Sequence, residues 1–240
     1  MDKKRKILIS NDDGVFSDGI IRLARAAVKY GEVWVVAPDS QRSASSHAIN
    51  LRHSIEAREV DFPVEGVRAF SCSGTPADCI RIGVRNIVPG GPDYVFCGIN
   101  FGYNAGTDLQ YSGTVGAAME AAFQKLPVIA FSEEAVPEHQ VTDHYLDEIM
   151  GRLLTLPLEK NEIWNVNFPG CPLEECGGIL YDRTVSNEVF YDDHYLETPL
   201  EDGRISYQVD GIRKWDAEDG TDLRALFDCY VSVGKAKNIG

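Results

Sequence analysis

The chain has 240 residues, of which 44% are hydrophobic, and it carries a formal net charge of -14 at pH 7. This length accommodates one large α/β domain, or a domain with an appendage, and the hydrophobic fraction is ordinary for a globular protein. The acidic surface argues against duplex nucleic acids and anionic membranes as partners, although a small phosphorylated substrate stays compatible if a metal and helix N-termini supply positive charge.

The first predicted element is a short buried strand over residues 7–9, which ends in the charged turn Ser10-Asn11-Asp12-Asp13-Gly14. Adjacent carboxylates at the mouth of a buried strand repel each other and lose solvation, so they need a cation or several hydrogen-bond donors. A metal ion would remove this conflict. The alternative is that Asp12 or Asp13 caps the following helix, and this stretch alone leaves both interpretations open.

The next elements alternate between helices and strands. A helix with Asp18 as its N-cap is predicted to end near Gly31, and a second buried strand covers 33–37. The segments 55–60 and 67–72 resemble a hairpin added to the sheet. Thr75, Pro76 and Asp78 then begin a helix with a capping box, which runs to about Ile87.

The same alternation continues through the middle of the chain. The predicted elements are a strand at 93–99, a helix at 115–125 introduced by Ser112-Gly113-Thr114, a strand at 128–131, a helix at 141–155 and a strand at 163–168. Continuous apolar strands between helices are typical of a parallel sheet that is covered on both faces. The fold class is therefore α/β, with a Rossmann-like, doubly wound and mostly parallel sheet flanked by helices.

The pattern changes after Pro169. Four predicted turns, at Gly177-Gly178, Asp192-Asp193, Asp202-Gly203 and Asp210-Gly211, separate short strands. The aromatic residues expected to be exposed there are Tyr181, Phe190, Tyr191, Tyr195 and Tyr207. We therefore expect a catalytic core at 1–169, followed at 170–240 by an antiparallel hairpin arm and a C-terminal helix, capped by Thr221-Asp222, that serve oligomerisation.

The cysteines and the N-terminus indicate a cytoplasmic protein. The six cysteines include no CxxC pair, which favours buried reduced thiols over a zinc site or a disulfide framework. The spacing of Cys171 and Cys176 permits a disulfide without requiring one. The basic start is followed by only three apolar residues, so we expect no signal peptide, and no run reaches transmembrane length.

Polar residues follow several predicted strands at the point where each strand ends. Asp12 and Asp13 follow the first strand, Ser43 follows the second, and Asn100 follows the strand at 93–99. Because ligands of an open α/β sheet bind at this edge, we expect these side chains to lie together. Their donors are all oxygens, which suit Mg²⁺, Mn²⁺ or Ca²⁺ better than zinc.

An anion site is predicted next to this set. Ser112, Gly113 and Thr114 stand at a helix start, where free backbone N–H groups and two hydroxyls can bind an anion. The glycine-rich stretch GINFGYNAG before them allows a close approach of the backbone to a ligand. Neither stretch matches the P-loop or the dinucleotide fingerprint. Each alone would more often be a packed turn, but the conjunction with Asp12 and Asp13 favours a functional site.

Five ordered motifs resemble those of the SurE family of metal-dependent nucleotide phosphatases. They are NDDG after an apolar strand, VVAPDSQRSAS, SGTPADC, GIN-x-G-x-N-x-G and YSGTVGAAMEA. The resemblance implies a Rossmann-like core, a cytoplasmic location and a homodimer or tetramer built partly by exchanged C-terminal arms. It also implies one divalent metal per subunit on Asp12, Asp13, Ser43 and Asn100, and phosphate contacts from Asn104, Ser112, Gly113 and Thr114.

The chain departs from the family pattern at a few positions. Tyr103 stands where family members commonly have Pro, and Ser46 where they often have Gly. Tyr103 is close to Asn100 and Asn104 in sequence, so it is a candidate for choosing the base or leaving group. The ending Cys229-Tyr230-Val231-Ser232-Val233-Gly234-Lys235 also differs from the family's, which affects arm geometry more than catalysis.

The predicted activity is hydrolysis of nucleoside monophosphates, as a 5′/3′-nucleotidase, by water that a divalent metal activates. Mg²⁺ and Mn²⁺ come first, with Ca²⁺ as an alternative, and Asp12 or Asp13 assists as a base in addition to its ligand role. His47 is a candidate contact for the leaving oxygen, although a lone loop histidine is more often merely solvated. Two alternatives remain, a covalent phosphoaspartate phosphatase and a non-catalytic metal or nucleotide sensor.

Overall fold

A nine-stranded sheet forms the centre of the computed structural model, which describes residues 4–239. The strands are β1 Lys6–Ser10, β2 Glu32–Pro38, β3 Ala57–Val60, β4 Arg68–Cys72, β5 Tyr94–Phe101, β6 Val128–Glu133, β7 Glu162–Phe168, β8 Ile179–Arg183, β9 Tyr191–Pro199, β10 Ile205–Arg213 and β11 Val231–Lys237. The α-helices are α1 Asp18–Ala27, α2 Pro76–Ile82, α3 Gly113–Phe123, α4 Gln140–Leu153 and α5 Asp222–Phe227.

The strand order is β3-β4-β2-β1-β5-β6-β7-β11-β8, and the six strands from β4 to β7 run parallel. β3 pairs antiparallel with β4, and β11 pairs antiparallel with β7. Strands β9 and β10 form a separate antiparallel hairpin. The predicted α/β class, with its parallel sheet and C-terminal hairpin, is therefore confirmed.

Helices cover both faces of the sheet, which is why its parallel strands are apolar throughout. Side chains of α1 and α4 pack in one core cluster, which includes Leu23 and Ile149. Side chains of α2 and α3 pack in a second cluster on the opposite face, which includes Ile80 and Ala118. After β1 the chain continues to α1 on one face of the sheet, and after β5 it continues to α3 on the other face. Because the two connections diverge, a crevice opens between the carboxyl ends of these neighbouring strands.

Two predictions of local structure are wrong. The N-cap of α1 is Ser17, not Asp18, because Asp18 is already the first helical residue, and its carboxylate lies 3.5 Å from Arg22 Nη1 in the next turn. Asp192-Asp193 and Asp210-Gly211 are not turns but lie within β9 and β10, where Asp193 is paired with Gly211. By contrast, the capping box of Thr75 and Asp78 is present, and a π-helix at Gly83–Ile87 extends α2 to the predicted end.

The division at residue 169 does not follow the sheet. β11 and β8 complete the nine-stranded sheet, so much of 170–240 belongs to the core, and the β9–β10 hairpin stands apart from that sheet. Phe190 was expected to be exposed but is buried against Leu223 and Leu226 of α5. It directly precedes β9, at the point where the hairpin joins the core.

Two further features concern the described part of the chain. Within residues 4–239, none of the helices has both the length and the apolar character needed to cross a lipid bilayer. All six cysteines are free, including Cys171 and Cys176.

Candidate functional site

The turn after β1 is made by Asn11 and leaves both aspartates available. The Asn11 side chain accepts from Gly14 N at 3.2 Å and donates to Gly14 O at 3.1 Å and to Ser17 Oγ at 2.7 Å. Gly14 has a φ of +103°, which a residue with a side chain rarely adopts. Since neither Asp12 nor Asp13 caps α1, the capped-turn interpretation of this stretch is excluded.

Asp12 faces the N-terminus of α3. Its side chain is buried, with 4% of the residue exposed, and Oδ1 accepts a hydrogen bond from Thr114 Oγ1 at 2.6 Å. Burial raises the pKa of Asp12 from 3.8 to about 6. The charge of Asp13 raises this pKa further, and the hydrogen bonds from Thr114 lower it. A buried carboxylate with a raised pKa beside a helix N-terminus favours a bound cation as the missing compensation.

Asp13 points to the other side of β1, towards the end of β5. Its Oδ2 accepts from Phe101 N at 3.1 Å. Burial raises the pKa of Asp13, the charge of Glu133 raises it further, and hydrogen bonds from Phe101 N and the Gln41 side chain lower it. Asp12 therefore contacts the start of α3 and Asp13 contacts the end of β5, while the two carboxylates are close enough for their charges to interact.

Ser43 is linked to Asp13 through Gln41, and Asn100 directly precedes Phe101, whose backbone N–H donates to Asp13. The Gln41 amide, which contacts Asp13, donates to Ser43 Oγ at 2.9 Å. The Asn100 amide donates to Gly102 O at 2.8 Å, which leaves its carbonyl oxygen as the atom for a ligand. The four predicted metal ligands thus lie at one edge of the sheet. Gln41 was missed by the sequence reasoning, and the only available signal was its place in the polar loop after β2.

The predicted anion site is the first turn of α3. Ser112 is the N-cap, and its Oγ accepts from Val115 N at 3.1 Å. A Cβ on Gly113 would lie 2.9 Å from Asp12 Cβ and 2.6 Å from Ser45 Oγ, so only glycine fits here. The first backbone N–H groups of α3 therefore stand directly beside the Asp12 carboxylate.

Asn104 is buried at the same edge and is held by three side chains. Its Nδ2 donates to Ser132 Oγ at 2.7 Å, its backbone N–H donates to Asn167 Oδ1 at 2.8 Å, and its carbonyl accepts from Asn165 Nδ2 at 2.9 Å. Asn165 and Asn167 were not identified from the sequence. Their signal was visible, because two asparagines interrupt the otherwise apolar strand Trp-Asn-Val-Asn-Phe.

The His47 side chain is directed along α3 to Glu120, and its contact with the leaving oxygen stays a prediction. Its Nε2 is 3.0 Å from Glu120 Oε2, and its ring stacks on Phe123 with 5.3 Å between centroids. Glu120 is seven residues beyond Gly113 on α3, about 10 Å along the helix axis. His47 therefore fixes the loop after β2 against the C-terminal half of α3.

Tyr103 also faces away from the predicted metal ligands. Its hydroxyl donates to Glu134 Oε2 at 2.8 Å and accepts from Gly170 N at 3.2 Å. Its ring packs edge-on against Phe190 with 5.4 Å between centroids, and Arg213 at the end of β10 pairs with Glu134. Tyr103 therefore attaches the base of the hairpin to the core, and its role in choosing the base or leaving group stays a prediction.

The residues at this edge fit a hard divalent cation. Among residues 4–239, no cluster of three or more His, Cys, Asp and Glu is arranged for a metal. Two carboxylates, a hydroxyl and an amide oxygen are available instead, which is a set suited to Mg²⁺ or Mn²⁺. Ser45 Oγ, beside Gly113, is buried without a hydrogen-bond partner in the described structure. This hydroxyl is therefore available as a further oxygen donor at the same edge.

Together, the sheet and this edge define a doubly wound α/β protein with a candidate cation and anion site at its topological switch point. The chain belongs to the SurE family, since the family model described as survival protein SurE matches residues 7–190. The resemblance seen in the sequence is thereby confirmed.

Curated relatives and a solved structure agree with this assignment. The chain is 38% identical over 231 residues to 5′-nucleotidase SurE of Clostridium botulinum (strain 657 / Type Ba4), covering 95% of this chain and 90% of the relative. It is 40% identical to 5′-nucleotidase SurE of Synechococcus sp. (strain CC9311), covering 90% and 83%. The crystal structure of the SurE protein from Aquifex aeolicus superposes with a TM-score of 0.82 at 33% identity, covering 97% and 93%.

Proposed function

We propose that this protein is a divalent-metal-dependent phosphomonoesterase that hydrolyses nucleoside monophosphates. The observation that carries the proposal is the contact between Asp12 and the first turn of α3, where the absence of a side chain at Gly113 lets the buried carboxylate pack against the start of the helix. A cation site and an anion site then share one wall, as phosphoryl transfer requires. The relatives named 5′-nucleotidase SurE support the nucleotide as substrate.

Each residue has a defined role in this proposal. Asp12, Asp13, Ser43 and Asn100 hold the cation, which supplies positive charge to activate water and neutralise the phosphoryl group. The N–H groups of Gly113 and Thr114, with Ser112 and Asn104, hold the phosphoryl oxygens. Thr114 Oγ1 orients the Asp12 carboxylate through its hydrogen bond of 2.6 Å. One of the two aspartates also accepts the proton that the attacking water loses.

The proposal predicts phosphate release from AMP that depends on Mg²⁺ or Mn²⁺. We expect release to stop in a chelator and to return when the metal is restored, with Ca²⁺ tested alongside. Colorimetric phosphate measurement on purified protein decides this. A protein that binds AMP with metal but releases no phosphate would instead be a sensor. A labelled phosphoenzyme that survives denaturation would indicate a covalent aspartyl mechanism.

A second copy of the chain is the proposed partner of the hairpin. The strand register places Tyr195, Tyr207 and Val209 on one face of β9 and β10 together with Glu197, whereas Gln208 and Asp210 lie on the other face with Leu196. These residues are all exposed, so the face that carries both tyrosines is not covered within one chain. An exposed apolar face of this kind marks an interface, and a homodimer or tetramer would bury it.

Val209→Asp is therefore expected to shift the protein from an oligomer to a monomer, because a charge at the centre of an apolar interface loses its solvation. The measurement is molar mass by light scattering at several protein concentrations. Gln208→Asp, on the opposite face of the same strand, is the matched control and should leave the mass unchanged. A monomeric wild-type protein at all concentrations would reject the interface.

The cytoplasm is the proposed location. Three buried cysteines, Cys72, Cys79 and Cys97, are free, and the half-buried Cys171, Cys176 and Cys229 are free as well. Thiols that remain unpaired are typical of a reducing compartment.

A further inference from the structure

A cavity of ≈ 320 Å³ opens beside Asp13, on the side of β1 that faces away from α3. It shares Asp13 and Gln41 with the candidate metal site, and its other walls include Ile99, Phe101, Glu133 and His139. Through Asp13 and Gln41 the cavity borders the candidate metal site directly, so a group attached to a phosphoryl oxygen at that metal would extend towards it. The metal and phosphate sites proposed above leave this cavity without a ligand.

The cavity has one large apolar wall. Phe101 ends β5 and is 54% exposed, although its backbone N–H is fixed by the hydrogen bond to Asp13 Oδ2. The floor is rigid, because α1 lies so close to β5 that a Cβ on Gly19 would sit 2.0 Å from Ile99 O. An aromatic ring on a fixed backbone beside a phosphate site is a stacking surface for a planar group.

The polar groups of the cavity are mainly hydrogen-bond acceptors. Asp13, Asp18 and Glu133 contribute carboxylates. Arg22 neutralises only part of this charge, since it lies 2.7 Å from Glu133 Oε1 and also pairs with Asp143. His139 Nδ1 is 3.1 Å from Glu133 Oε1. The cavity therefore repels a second phosphate group and favours a neutral group that donates hydrogen bonds.

We propose that this cavity binds the nucleobase of a nucleoside monophosphate, with the base stacked on Phe101 and its exocyclic amino group directed to the carboxylates. The inference rests on the proposed function and adds the part of the site that selects the substrate. In this inference Phe101, rather than Tyr103, contacts the base, because the Tyr103 hydroxyl is hydrogen-bonded to Glu134 and Gly170.

The test compares Phe101→Ala and Phe101→Trp on AMP, CMP, UMP and ribose 5-phosphate. We expect Phe101→Ala to raise KM for AMP about tenfold with little change in kcat, since stacking stabilises the bound base. KM for ribose 5-phosphate, which has no base, should change by less than about twofold. Phe101→Trp should retain a low KM for AMP. Phe16→Ala removes an equally exposed phenylalanine that does not line the cavity, and it serves as the control.

Two comparisons decide the outcome independently of the variants' stability. Equal shifts of KM for AMP and ribose 5-phosphate in Phe101→Ala would overturn the stacking role, and equal KM values for AMP, CMP and UMP would overturn the amino-group preference. Binding of adenosine, measured by equilibrium dialysis without turnover, separates this inference from the proposed function. Adenosine that binds through Phe101 to a protein without phosphatase activity would support the cavity alone, whereas active protein that does not bind adenosine would reject it.

Discussion

Asp13→Asn is expected to lower metal-dependent phosphate release by about 1,000-fold or more, because it removes both a charged cation ligand and a potential proton acceptor. The asparagine side chain keeps the shape of the carboxylate and can still accept from Phe101 N, so the end of β5 should stay in place. The loss should therefore appear in kcat and in metal affinity, with little change in folding. Initial rates at saturating Mn²⁺, together with direct Mn²⁺ binding by electron paramagnetic resonance, measure both quantities.

The control for this variant is Asp61→Asn, which removes an exposed carboxylate from the loop between β3 and β4. Its net charge change is the same, and its activity should match that of the wild-type protein. Full activity of Asp13→Asn, or unchanged Mn²⁺ affinity with reduced activity, would contradict the ligand role. In the second case Asp13 would act only on protons.

Much of the fold was predictable because the buried strands are recognisable from their continuous apolar sequences. Apolar runs such as Val33–Ala37 between helical patterns require a sheet covered on both faces, and the capping box at Thr75 marks a helix start by local chemistry alone. The errors lie where tertiary contacts override local signals. Asp192-Asp193 has the composition of a turn, but the cross-strand pairing of β9 with β10 keeps it extended.

The candidate site was predictable to the extent that strand ends meet at one edge. Asp12, Asp13, Ser43 and Asn100 follow from that rule together with the oxygen chemistry of their side chains. The direction of a loop side chain does not follow from it. His47 stands four residues after Ser43, yet its partner Glu120 belongs to a helix that the chain reaches much later. The contact of Gln41 with the site was not predicted for the same reason, since only the folded loop brings its amide to Ser43.

The two aspartates also make a prediction about stability, because a ligand carboxylate is costly to bury when no cation is bound. In the metal-free protein, Asp12 is buried beside Asp13, and its pKa is raised from 3.8 to about 6. A folded-state pKa above the unfolded one means that the folded protein holds this proton more tightly. The free energy of unfolding therefore falls as the pH rises from about 4 to about 6, and the full cost, about 3 kcal/mol, is present above that range.

Asp12→Asn should accordingly stabilise the metal-free protein near neutral pH by about 1–3 kcal/mol, while it abolishes metal-dependent activity. An uncharged amide keeps an acceptor for Thr114 Oγ1 and removes the repulsion from Asp13. Urea unfolding in a chelator, at neutral pH and at about pH 4.5, measures the difference, which should shrink at the lower pH as the wild-type carboxyl gains its proton. Added Mg²⁺ should stabilise the wild-type protein and not the variant. A variant that is less stable than wild type at neutral pH without metal would show that Asp12 is compensated by groups of the protein itself, and the case for a cation at this carboxylate would fail.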